Sequence, residues 1–256
     1  MTSLIDLLAS AQRTETGFKS EIPANWLQGR TAYGGLSSAL ALAAAKQVEP
    51  DLPPLRSAQV AFVGPLSGPV TVTATKLRRG RNAAFIQADI VSEAGLGLRT
   101  TFVFMAQLES SIDHDGTAAA RHAPPPADAE LYTGPKEFFT GNFNFFDLKA
   151  DTRPTQWLRW GRLIDRAGLD PEVELMALGD ALPPAAFRLF AKMTPLSSLT
   201  WQVNILQPAP VTRDGWWLLE AETDSARSGY SSQTMRMWDA DGRLVAEGTQ
   251  GVAIFG

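Results

Sequence analysis

The sequence predicts an α+β fold made of two modules, each an antiparallel sheet wrapped around one central helix. Three observations carry this expectation. A helix-like run of small apolar residues is followed by four strand-like runs, the same order returns in the second half, and a proline-rich break separates the two. The 256 residues suffice for two modules of ordinary size, each with a buried core.

Residues 2 to 12 show helical apolar spacing (Leu4, Ile5, Leu7, Leu8), with Thr2 or Ser3 as the N-cap of a short packing helix. After Gly34-Gly35, residues Leu36 to Lys46 are small and apolar almost all round, which predicts a helix buried on most sides and in need of a wrapper. Strands follow at 57–63, 69–78, 83–92 and 98–107, punctuated by Gly64-Pro65, Gly80 and Gly95-Leu96-Gly97. From 109 to 130 the composition turns to Ala, Pro, Asp and His around Pro124-Pro125-Pro126, as expected of a surface linker that does not pack. This divides the chain into modules at 1–108 and 131–256. The second begins with an aromatic strand pair near 137–147 and 156–164, then a helix near 171–191, then strands at 198–206, 215–223, 228–238 and 243–254.

The repeat is also written in residues. Tyr33-Gly34-Gly35-Leu36 lies opposite Leu178-Gly179-Asp180-Ala181, each expected to open its helix, and Phe62-Val63-Gly64-Pro65 lies opposite Ile205-Leu206-Gln207-Pro208. Gly80-Arg81 corresponds to Ser228-Gly229, and the turn at Gly95 to Asp241-Gly242. A long helix gripped by an antiparallel meander, occurring twice, is the double hot-dog arrangement; two unrelated α+β modules would give a similar pattern.

Composition narrows function. Hydrophobic residues at 45%, charged residues at 20%, seven Trp and thirteen Phe argue against disorder. A net charge of -4 without a long basic run argues against nucleic acid as a partner. The absence of cysteine removes disulfides, thiolate nucleophiles and most structural zinc sites, so neither a metal nor a cofactor is implied, and a reducing compartment is expected. No apolar run approaches the ~18 residues of a membrane span, and the opening residues lack a secretion signal, so the expectation is a cytoplasmic protein with no membrane partner.

The stretch Gly29-Arg30-Thr31-Ala32-Tyr33-Gly34-Gly35, then Phe62-x-Gly64-Pro65, then Arg79-Gly80-Arg81, resembles the amino-terminal half of the acyl-CoA thioesterase II (TesB-like) family. The second half is similar to that family through Leu178-Gly179-Asp180-Ala181-Leu182-Pro183-Pro184, Ser198-Leu199-Thr200, Trp216-Trp217-Leu218-Leu219 and Asp241 to Gln250. The resemblance implies a double hot-dog thioesterase acting on acyl-CoA. Its site would be an acid near the start of the second central helix, a hydroxyl on the next strand and a glutamine on the last strand. These positions are Asp180, Ser198 (or its neighbour Ser197) and Gln250. Better-known members carry Asp-His after the hydroxyl, where this chain has Thr200-Trp201, a departure that bears on substrate range.

Those residue types suit thioester hydrolysis. An acid can take a proton from water, a hydroxyl and an amide can hold that water, and helix-opening N–H groups near Gly34 and Gly35 can receive the carbonyl oxygen. Direct attack by water and an acyl-enzyme through Asp180 both remain open. Tyr33, Gly34, Gly35 and Arg81 are the expected substrate contacts. Gly35 stands opposite Asp180, so one catalytic centre is expected, not two. Each residue has a plainer reading: Asp180 as a helix N-cap, Ser198 as a strand-entry hydroxyl, Gln250 as an edge polar residue, Gly34-Gly35 as a tight turn, and Arg78, Arg79 and Arg81 as a solvated hairpin. The aromatics Phe138, Phe139, Phe143, Phe145, Phe146, Trp157 and Trp160 could line an acyl pocket but fit core equally well. A hot-dog dehydratase would need a histidine beside an acid, whereas His114 and His122 fall in the predicted linker; a non-catalytic acyl-CoA binder remains if the three residues do not converge. Fusion of two halves permits a monomer, while exposed sheet edges allow homo-oligomers.

Overall fold

One continuous antiparallel sheet runs through both halves of the chain. The computed structural model describes residues 1–49, 51–148, 152–192 and 194–255. In the first half these form α1 (Leu4–Ala9), the hairpin β1 (Gln12–Thr14) and β2 (Gly17–Ile22), the small pair β3 (Leu27–Gln28) and β4 (Thr31–Ala32), and α2 (Gly34–Val48). The meander β5 (Leu55–Phe62), β6 (Gly68–Arg79), β7 (Ala83–Ser92) and β8 (Gly95–Met105) follows. The second half has β9 (Phe143–Asp147), β10 (Gln156–Leu163), α3 (Pro171–Gly179) and the meander β11 (Leu196–Ile205), β12 (Trp217–Arg227), β13 (Tyr230–Trp238) and β14 (Leu244–Ile254).

The twelve-stranded order β1-β2-β6-β7-β8-β5-β11-β14-β13-β12-β10-β9 is a palindrome of equivalent strands, so the double hot-dog expectation holds strand by strand. The halves join where β5 pairs with β11, in a register centred on Gln59 opposite Gln202. That centre relates the halves by 143 residues (202 − 59). The β-bulges agree, because β5 shifts register between Leu55 and Ser57 and β11 between Ser198 and Thr200.

The sequence missed the hairpin β1–β2. Residues 12–14 are all exposed and carry no apolar alternation, and the hairpin is held by register with β6. The linker expectation needs correcting. No strand or helix forms from 106 to 131, but the segment packs on the outer face of the second half. Trp238 Nε1 donates to Ala118 O at 2.8 Å and Ala120 N donates to Gly242 O at 2.9 Å. Ala120 and Leu131 cover a second apolar cluster of Leu158, Trp160, Trp216, Leu218, Trp238 and Leu244. A sheet this apolar on its outer side would otherwise expose a large hydrophobic patch.

α2 is buried almost throughout, packed on β6, β7 and β8 and against α3. Small side chains let it enter this space, and Ser37 and Ser38 satisfy their hydroxyls by donating to Tyr33 O and Gly34 O within the helix. α2 and α3 run antiparallel. At one crossing Lys46, in the last turn of α2, meets Asp170 and Glu172 at the start of α3, with Nζ at 2.5 and 2.9 Å from their oxygens. Glu172 also accepts the Leu55 N–H at 2.7 Å, so its buried charge is fully engaged. At the other crossing the Tyr33 hydroxyl donates to Ala177 O at 2.9 Å.

That second contact requires glycine. A Cβ on Gly35 would lie 2.4 Å from the Tyr33 hydroxyl and 2.5 Å from Ala177 O. Gly35→Ala is therefore expected to push the helices apart and lower the unfolding free energy by about 1–3 kcal/mol. Urea unfolding followed by tryptophan fluorescence measures this; a wild-type midpoint would mean that the crossing tolerates a methyl group.

Candidate active site

α3 ends at Gly179, far short of the expected 191, for a local reason. Pro183 and Pro184 cannot donate the N–H groups a helix would need, and each restricts the residue before it. Asp180 is the C-cap, with its N–H on Leu178 O, and Asp170 is the N-cap, accepting from the backbone of Glu172 and Val173. This corrects both readings of Asp180 as a residue that opens or N-caps its helix. Antiparallel packing nevertheless brings it to the start of the other central helix.

There its carboxylate is held from two sides. The Gly35 N–H, in the first turn of α2, favours its charged form. Gln250 Nε2 donates to Asp180 Oδ1 at 2.7 Å. Oδ2 sits so close to Gly34 that a Cβ there would come within 2.4 Å. Gly179 serves the same approach on the other side, because a Cβ at that position would meet the Trp201 indole at 2.8 Å. Trp201 thus supplies a packing surface for the end of α3.

Asp180 and Gln250 are 9% and 2% exposed. Burial pushes the Asp180 carboxyl up to about 7, while the hydrogen bond from Gln250 and the polarity of the Gly35 N–H pull in the opposite direction. The helix dipoles also oppose each other, since Asp180 caps the negative end of α3 and faces the positive end of α2.

A cavity of about 360 Å³ opens beside the carboxylate and is lined by Gly34, Asp180, Ser197 and Ser198. Its walls are mixed, with Phe62, Leu66, Leu182, Leu196, Leu199 and Phe255 beside Gln28, Thr31 and Ser37, and among the described residues no lysine, arginine or histidine lines it. Ser198 is half-buried at the β11 bulge, and no hydrogen bond joins it to Asp180 or Gln250 among the described residues. Ser197 donates to the Ser198 carbonyl. Asp180, Ser198 and Gln250 are therefore brought to one place, two in direct contact and the third across the cavity.

The expected substrate contacts divide. Gly34 lines the cavity and Gly35 lies behind the carboxylate. Tyr33 is core instead of cavity wall: it is stacked on Phe139 at 4.3 Å and packed edge-on against Phe143. Its phenol is held well above the ordinary tyrosine range by burial, then by the charge of Asp180. Arg81 is exposed in the β6–β7 turn and does not line the cavity. Most of the aromatic group is core as well, with Phe139, Phe143, Phe145 and Trp160 buried. His114 and His122 lie on the linker, away from the cavity lining.

Counting from the helix starts, Asp180 (171 + 9) falls opposite Ala43 (34 + 9), not Gly35, because α2 continues where α3 stops. Through the strand registers Ser198 falls opposite Leu55 (198 − 143). Gln250 falls opposite Phe102, since Trp201 faces Gln250 as Ala58 faces Phe102. The first half repeats the frame without the polar groups.

Sequence reading missed Gln233 of β13. It is fully buried and donates from Nε2 to Gln250 Oε1 at 2.8 Å, while its own Oε1 accepts the Ala185 N–H at 2.8 Å. A glutamine on the inward face of a strand, between Ser231 and Met235, was the available signal.

The raised carboxyl has a stability consequence. The folded state binds the Asp180 proton more tightly than the unfolded chain, so the contribution is present below the ordinary value of 3.8 and lost as pH rises through about 7. Asp180→Asn should therefore be more stable than wild type at alkaline pH, by on the order of a few kcal/mol, with the gap closing under acid. Thermal melts at two pH values test this; parallel curves would show that ionisation of Asp180 carries no folding cost.

Family models described as the acyl-CoA thioesterase N-terminal and C-terminal domains match residues 22–105 and 112–254. No curated protein matches the sequence. Three solved structures are similar over nearly their whole lengths. A conserved hot-dog protein from Alicyclobacillus acidocaldarius has a TM-score of 0.83 at 22% identity, covering 100% of this chain and 99% of its own. The tesB protein of Mycobacterium avium subs paratuberculosis has a TM-score of 0.80 at 18% identity, covering 99% and 100%. An acyl-CoA thioesterase II from Mycobacterium marinum has a TM-score of 0.76 at 17% identity, covering 98% and 96%. At these identities the likeness is one of fold.

Proposed function

Because the chain belongs to the acyl-CoA thioesterase family, we propose that it hydrolyses acyl-CoA thioesters by direct attack of a water that Asp180 activates. The observation that carries this reading is the buried Asp180 carboxylate, held by Gln250 and set against the start of α2 at the edge of a cavity whose walls include apolar side chains. A base with its pKa near neutrality is half ionised at working pH and strong enough to take a proton from water as the bond to carbon forms.

In the proposed reaction the acyl chain lies along the apolar walls and its thioester carbonyl reaches the start of α2. The Gly35 N–H is turned to Asp180, and the Gly34 N–H, the first of the helix and without an intrahelical partner, receives the carbonyl oxygen. Water, oriented by Asp180 with Ser198 across the cavity, adds to the carbonyl carbon while its proton passes to Asp180. The tetrahedral intermediate then breaks its C–S bond, the leaving thiolate takes the proton back, and free acid and CoA are released. Among the described residues no histidine lines the cavity, which disfavours the dehydratase reading, and the Asp180–Gln250 contact disfavours a passive binder.

Against a panel of acyl-CoAs, with CoA release read by a thiol reagent, Asp180→Asn is expected to lower kcat by about 10²–10⁴. Ser198→Ala should cost about tenfold and Ser197→Ala little, since a single neutral hydrogen bond is at stake. Wild-type turnover in Asp180→Asn would refute the mechanism. The kcat/KM of the wild type should rise with pH around a midpoint of about 7.

A further inference from the structure

We propose that Gln233 is a positioning residue for this reaction: it passes the polarity of a backbone N–H on to Gln250, so that Gln250 presents its donors, and not its carbonyl oxygen, to Asp180. The inference rests on Asp180 being the group that activates water.

A glutamine amide has a donor end and an acceptor end of nearly the same shape, so an isolated one can sit either way round. A backbone N–H has no such freedom and only donates. The Ala185 N–H donates to Gln233 Oε1 at 2.8 Å, which turns Gln233 Nε2 toward Gln250. There it donates to Gln250 Oε1 at 2.8 Å, which in turn places Gln250 Nε2 on Asp180 Oδ1 at 2.7 Å. Both glutamines are buried, so water does not compete for a flipped amide, and reversing one would set oxygen against oxygen along the row. With Gln233 removed, Gln250 could turn over and offer Oε1 to Asp180. That arrangement suits only a protonated carboxyl, which has no capacity to act as a base.

Other charges do not supply this control. Among the described residues no lysine, arginine, histidine or glutamate lines the cavity; β11 faces it with Leu196, Ser197 and Ser198, Phe255 follows β14 there, and the segment after Asp180 adds Leu182 and Pro184. From the turn before α2, Tyr33 feels the charge of Asp180 but is itself kept protonated by burial. Gln233 also ties the 3-10 turn Ala185–Leu189, which follows Asp180 in the chain, to the sheet that carries Gln250.

Two variants test the role from opposite ends. Gln233→Met keeps the length of the side chain and removes both bonds. Ala185→Pro keeps Gln233 and removes the donor that sets the direction. Proline suits that position, the first of a 3-10 turn after an extended Pro184 with ψ 133°. For both, the midpoint of kcat/KM against pH is expected to move up by about one unit, with kcat at neutral pH down about fivefold and recovering at alkaline pH. Wild-type midpoints in both would overturn the proposal, as would a loss of kcat equal at every pH, which is what mere structural damage gives. Asp180→Asn is assayed beside them. If it turns over like wild type, the reading of Asp180 fails. If it is inactive while the two variants titrate as wild type, only the role of Gln233 fails.

Discussion

The site depends on how closely the end of α3 can approach the start of α2. A carboxylate placed at the negative end of one helix and buried is unstable as an anion unless other groups meet it. The first turn of α2 supplies them, and only with glycine at 34 and 35, because side chains there would occupy the space of Asp180 Oδ2, the Tyr33 hydroxyl and Ala177 O. The glycines that read as a tight turn are thus required by contact across two modules some 145 residues apart (180 − 35). Burial raises the carboxyl and the two donors restrain it, so the group is left near neutrality. Tighter solvation would make it a weaker base, and looser solvation would keep it protonated.

Much of the frame was legible. The eight strands of the two meanders were readable because most have a buried and an exposed face and several end in a Gly-containing turn, as at Gly80, Gly95 and Gly242. Gln250 was placed on the last strand for the same reason. The end of α3 was not legible, since Ala181-Leu182 and Ala185-Ala186 continue an apolar run that is buried by a loop and a 3-10 turn and not by helix. Without that end, Asp180 could be read only as a residue that begins something. Gln233 was hidden for another reason: its partners lie 48 residues before it and 17 after it, and a lone strand glutamine gives no sign of either. Tyr33 misled because a family-like motif does not say which of its side chains point inward.

The two helix crossings are related by the same pseudo-symmetry and have been resolved in opposite ways. Where the end of α3 meets the start of α2, a single acid faces backbone donors and a cavity. Where the end of α2 meets the start of α3, Lys46 meets Asp170 and Glu172, and Glu172 takes the Leu55 N–H besides. Leu55 is the counterpart of Ser198, so the strand entry that contributes a hydroxyl to one crossing contributes only a backbone donor to the other. Phe102 fills the place of Gln250. An ion pair with every oxygen engaged has no reason to bind a substrate, and it stabilises the second junction only as long as both signs of charge remain. The duplicated frame thus separates two demands that conflict at a single junction: one crossing holds the halves together with compensated charge, and that leaves the other free to carry a buried acid whose charge is left without a cation.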